Sequence, residues 1–113
     1  MYSNKNDFYK IIYLSLKMLL FKKSFNLKII NFRKNSNFLN FLILCSVKNR
    51  SHANFLFFFL IDKFKELGII NLNNSKPTGV NWLIIDFDFL TVHIFVNDYY
   101  LTYNLENFWF FGK

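Results

Sequence analysis

Cysteine occurs once, at Cys45, so no intramolecular disulfide can form and a disulfide-stapled secreted scaffold is excluded. Proline also occurs once and glycine three times in 113 residues, which excludes collagen-like, linker and disordered compositions. No apolar run reaches the ~18 residues that a membrane helix needs. Residues 8–21 are interrupted by Lys10 and Lys17, and residues 53–61 end at Asp62. The N-terminal stretch has neither a small-residue cleavage site nor the arginine-rich character of a transit peptide. These absences predict a soluble protein in a reducing compartment. Acidic residues are few, seven against 14 Lys and Arg, leaving a net charge of +7. Only Arg33 and Arg50 are arginines. The lysines do not form one run, and the chain is rich in Phe, Asn and Ile. The charge therefore reads equally as a face for polyanions or as the imprint of A- and T-rich codons.

What the chain does have is apolar mass: 53% hydrophobic and 22% aromatic, with 17 Phe. One domain of this length buries roughly two thirds of its unfolded surface, so a single core must hold it. Residues 1–6 are polar and read as a frayed tail, and residues 7–113 as one domain. Between Asp7 and Phe21, Phe8, Ile11, Ile12, Leu16 and Leu19 recur at helical spacing, with Asp7 as a cap. Residues 26–32 alternate loosely as a first strand. Residues 38–45 are almost wholly apolar, the pattern of a central strand covered on both faces. Ser51 then opens a helix with the inward stripe Ala53, Phe57, Leu60, Phe64 and Leu67, stopped by Gly68. Phe55, Phe58, Phe59 and Ile61 widen that stripe and favour a helix covered by core on more than one side. Residues 69–72 read as a short third strand. Residues 82–86 and 90–96 form a hairpin whose turn places Asp88 in the left-handed conformation. Asn104 caps a last turn. The order α-β-β-α-β-β-β-α predicts an α/β domain with a mixed sheet of about five strands flanked by helices.

Little of this carries chemistry. His52 and His93 are far apart, no cysteine pair exists, and the three glycines are isolated, so zinc and phosphate loops have no basis. No nucleophile turn or oxyanion loop supports a hydrolase. The pair Asp86 and Asp88 could hold Mg²⁺ for nucleotidyl transfer, or could simply cap the hairpin turn, and turn capping is favoured. His93 shares a strand face with Thr91 and Phe95, where a hydrogen-bonded structural ring is favoured. His52 opens the second helix, with Arg50 beside it as a pairing or partner residue. Trp82 reads as core or as an interface anchor.

Several segments together resemble one family in order: Asp7-Phe8, Phe41-Leu-Ile-Leu-Cys-Ser46, Asn49-Arg-Ser-His52, Gly68-Ile69, Trp82-Leu-Ile-Ile-Asp86, Val92-His-Ile-Phe95 and Tyr103-Asn-Leu-Glu-Asn-Phe-Trp109. The chain resembles the ribosomal silencing factors over about residues 7–109. The resemblance implies a nucleotidyltransferase-like topology without catalysis, metal or cofactor. It implies docking on ribosomal protein fourteen of the large subunit, with neighbouring ribosomal RNA as a further contact, and obstruction of the small subunit. It also implies a partner-binding set of Trp82, Tyr103, Asp86, His93, Glu106, Arg50 and His52. It further implies no membrane partner and a monomer or weak homodimer. The expected setting is a bacterial cytoplasm, with mitochondrial or plastid large-subunit assembly as the alternative. The chain departs from the family pattern at Val47-Lys48-Asn49, at the turn Asp88-Phe89, and at Tyr99, Tyr100 and Leu101, where arginines are usual. These changes imply a docking face shifted from charge toward aromatic contact.

Overall fold

The N-terminal helical spacing is realised as α1 (Lys5–Phe21), which begins two residues earlier than its expected Asp7 cap. The computed structural model describes residues 5–31, 41–72 and 81–97. Ile11, Ile12 and Leu19 turn inward from α1, and the buried Ser15 hydroxyl donates to the Ile11 carbonyl at 2.8 Å, so it leaves no unmet polar group. The chain then forms β1 (Phe25–Asn31), β2 (Phe41–Val47), α2 (Arg50–Glu66), β3 (Trp82–Asp86) and β4 (Leu90–Val96). Sheet order is β1-β2-β4-β3, with β2 and β4 parallel and both outer strands antiparallel to their neighbours. The sheet is mixed, as expected, but has four strands among the described residues rather than five. The segment 69–72 is not a strand. Its Leu72 N–H donates to the Asp86 carbonyl at 2.7 Å, and Ile70 and Leu72 are exposed. A four-residue apolar run that crosses only the tip of an edge strand cannot build a ladder.

All seven residues of β2 are buried, which is why this strand has no polar alternation. Its odd-numbered side chains, with Leu83, Ile85, Val92 and Ile94, join Ile11, Ile12 and Leu19 of α1 and Ala53, Leu56, Phe57, Leu60 and Phe64 of α2 in one core. Full burial of Phe57 or Phe64 stabilises the fold by roughly 1.5–3 kcal/mol. Phe64 stacks on Phe87 of the hairpin turn with ring centroids 4.0 Å apart. The widened stripe on α2 divides: Phe59 and Ile61 are half-buried and pack against the core, whereas Phe55 and Phe58 stay exposed. Both helices lie over one sheet face, and the described elements leave these two rings on the outer side of α2. Cys45 is buried in β2, and burial pushes its thiol up to about 12, with a hydrogen bond to Ser24 pulling weakly the other way. It is chemically inert in the native fold.

Both helices end in the same hydrogen-bond pattern with different residues at the left-handed position. After α1, Ser24 and Lys23 donate back to the Leu19 and Leu20 carbonyls, with Lys23 at φ 69°. After α2, Ile69 and Gly68 donate back to Phe64 and Lys65, with Gly68 at φ 86°. A lysine carries a steric penalty there that glycine escapes. Lys23→Gly is expected to raise urea-unfolding stability by about 0.5–1 kcal/mol, and Gly68→Ala to lower it by about 1 kcal/mol, although a Cβ at Gly68 would meet nothing within 4 Å. Both variants at parental stability would refute this reading.

Candidate functional site

The sheet face away from the helices carries the even-numbered positions of β2 and β3 and the odd-numbered positions of β4. Register sets Trp82 opposite Phe95, Ile84 opposite His93 and Asp86 opposite Thr91. Period-two alternation therefore gathers Trp82, His93 and Phe95 on one surface, over the buried Leu42 and Leu44 of β2. The three rings interlock. Trp82 lies nearly parallel to Phe95, with centroids 5.6 Å apart and planes at 23°, and tilts at 30° over His93 at 5.8 Å. His93 and Phe95 lie 6.2 Å apart. The indole Nε1–H donates to His93 Nδ1 at 3.0 Å, a diagonal bond across the ladder. An accepting Nδ1 places the neutral ring's proton on Nε2. Burial lowers the His93 pKa to about 4, so the ring is uncharged at neutral pH and can hold the indole in place. Trp82 is half-buried, with its edge anchored and part of its surface accessible.

Trp82 sits where β3 begins, beside the carboxyl ends of the parallel pair β2 and β4. Three links tie this end together. The Arg50 Nε–H donates to the Asn81 side-chain carbonyl at 3.1 Å. The Val96 N–H donates to the Asn81 carbonyl at 3.0 Å, and the Asn97 N–H donates to the Val47 carbonyl at 2.6 Å. Arg50 is the first residue of α2, and it is held there because Asn49, not Ser51, caps the helix. Asn49 is extended, with φ −153° and ψ 174°, and its side-chain oxygen accepts from the His52 N–H at 2.8 Å. The His52 ring turns the other way, donating from Nε2 to the Lys22 carbonyl at 2.6 Å and pinning the end of α1 to the start of α2. Arg50 thus stands next to the Trp82 corner, whereas the ring of His52 is engaged in the helix junction.

Asp86 lies at the opposite end of β3, four residues or about 13 Å along the strand from Trp82. Its Oδ1 accepts from the Asp88 N–H at 2.9 Å, and Asp88 takes φ 77° in a γ-turn closed by the Phe89 N–H on the Phe87 carbonyl at 3.0 Å. The Asp86 carboxylate is a turn cap in this fold. In open α/β sheets ligands sit outside the carboxyl ends of parallel strands, and the Asp86 and Asp88 pair is at the other end. No group of three or more His, Cys, Asp and Glu converges among the described residues. Tyr103 and Glu106 lie outside the described residues, as does the last turn capped by Asn104. Asn81, which no motif marks in the sequence, is the joint between Arg50 and Trp82; its only signal is its place immediately before the tryptophan.

The family model for ribosomal silencing factor during starvation matches residues 6–113. The chain belongs to that family. Its role is that of a ribosomal silencing factor, in a family of ribosome-associated regulators that are not known enzymes. The fold is shared with a crystal structure of a protein from Chromobacterium violaceum, at 18% identity and TM-score 0.78, covering 88% of this chain and 83% of that one. A second crystal structure, of a protein from Bacillus halodurans, is 23% identical with TM-score 0.76, covering 88% of this chain and 93% of that one. No curated protein sequence matches the chain. No helix among the described residues is long and apolar enough to cross a membrane.

Proposed function

We propose that this ribosomal silencing factor docks on ribosomal protein fourteen of the large subunit through the corner centred on Trp82, and that its bulk keeps the small subunit from joining. The observation that carries the reading is the Trp82, His93 and Phe95 stack. Trp82 is its half-buried, partly accessible member, fixed in position by the buried His93 and Phe95 before any partner arrives, which limits the ordering cost of binding. Tryptophan and arginine are the side chains most enriched among interface anchors, and Arg50 is fastened to the same corner through Asn81. Because His93 is neutral, covering the stack does not desolvate a charge. The net charge of +7 speeds approach to an RNA-rich particle. The mechanism is occupancy and requires no turnover.

The test uses purified small and large subunits at a magnesium concentration that joins them. Preincubating large subunits with the protein at a slight molar excess is expected to move the sucrose-gradient profile from joined to separate particles, with the protein in the large-subunit fraction. Protein migrating with intact joined particles would overturn the blocking mechanism.

A further inference from the structure

A second aromatic cluster lies where the end of α1 meets α2, far from the Trp82 stack in chain order and built from different elements. Phe55 stacks on Phe59 with centroids 5.6 Å apart and planes at 22°. The Lys22 ammonium sits 5.1, 5.6 and 4.9 Å from the ring centroids of Phe21, Phe55 and Phe59, and Lys63 lies 5.8 Å from Phe59. Phe59 is half-buried and packs against the core, while the other rings stand outside it. Phe21 is 77% exposed, Phe55 49% and the neighbouring Phe58 51%. The acidic groups nearby are Asp62 and Glu66, of which Glu66 touches Lys63 at 3.8 Å in an exposed pair worth little.

Interleaved ring faces and ammonium groups constrain the occupant. A purely apolar partner would strip water from Lys22 and return no acceptor, which is unfavourable. A nucleic-acid duplex offers phosphates but keeps its bases stacked away from the rings. An unpaired strand offers both, bases for the phenyl faces and phosphates for the lysines, which is how sequence-tolerant single-strand binders are built. We infer that the Phe21, Phe55 and Phe59 cluster with Lys22 and Lys63 is a docking surface for single-stranded RNA. The choice of RNA over other polyanions rests on the ribosome association of the family. The surface itself is independent of the Trp82 corner.

The test measures fluorescence anisotropy of a labelled 12-nucleotide oligouridylate, with the same-length RNA duplex and phosphatidylserine-containing vesicles as competing probes. The double variant Phe21→Ala, Phe55→Ala should weaken oligouridylate binding tenfold or more. Lys22→Glu should weaken it as well and make the slope of log affinity against log salt shallower by about 0.7. All these positions are at or near the surface, and an unchanged Tm confirms that the variants fold. The inference is overturned if the double variant binds the oligouridylate like the parent, if duplex and single strand bind equally with no dependence on the rings, or if only the vesicles respond to ring removal. Trp82→Ala keeps the two readings apart. Ring-dependent RNA binding without large-subunit co-sedimentation removes the docking proposal alone, whereas subunit docking with ring-independent RNA binding removes this one alone.

Discussion

Acidification from pH 7 to pH 4 should remove about 3 kcal/mol of folding stability through His93 alone. The unfolded ring takes up a proton near pH 6.5, while in the fold burial holds the pKa at about 4. Between those values the unfolded state binds more protons than the native one, so the free energy of unfolding falls as pH falls. Below about pH 4 the native ring also protonates and this contribution levels off. The cost has a structural counterpart, because an imidazolium cannot accept the Trp82 indole N–H at Nδ1. Protonation therefore breaks the bond that orients the proposed anchor. Urea unfolding at pH 7, 5.5 and 4 measures the effect, and His93→Gln, which retains an acceptor without the titration, isolates it from the carboxylates that protonate in the same range. The variant's stability curve should be flatter by the His93 share. Parallel curves for parent and variant would show that His93 does not titrate with unfolding.

The sequence announces His93 as a structural ring but not what it holds. Strand alternation puts Thr91, His93 and Phe95 on one face, and the structure does so. Alternation alone pairs His93 with Ile84, however, and the Trp82 bond is diagonal, set by side-chain reach rather than by register. The central strand was legible because burial on both faces eliminates polar alternation, and the α2 stop because Gly68 removes a steric penalty. The left-handed Asp88 was legible because aspartate tolerates that conformation better than its phenylalanine neighbours. Other features escaped for identifiable reasons. Asn49 and Ser51 both make good caps, and only the extended backbone at Asn49 decides between them. Phe55 and Phe58 have the hydrophobicity of core residues but fall on an uncovered side of α2, a fact of tertiary placement. The apolar run 69–72 has strand composition without a neighbour to pair along its length. As for the site, the resemblance supplied Trp82 and Arg50, while their connection through Asn81 depends on a loop closing back onto a helix start 31 residues earlier.

Replacing Trp82 divides anchoring from folding. Trp82→Ala removes the surface that stacks on Phe95 and His93, together with the donor to Nδ1. Since the indole is only half-buried at the start of an edge strand, the fold should lose about 1–2 kcal/mol and survive. Large-subunit binding should lose about 2 kcal/mol or more, roughly thirtyfold, because a central aromatic anchor contributes far more to an interface than its share of area. Trp82→Phe retains a ring over Phe95 but gives up the hydrogen bond, and should fall between the two in binding while remaining close to the parent in Tm. Quantitative co-sedimentation of each folded variant with large subunits reads the series. The order parent, Phe, Ala is what an anchor oriented by His93 requires. If Trp82→Ala binds like the parent, the tryptophan is a brace for the sheet and not part of the docking face. If Phe and Ala are equally impaired, the N–H bond to His93, rather than the stacked ring, fixes the geometry that the partner reads.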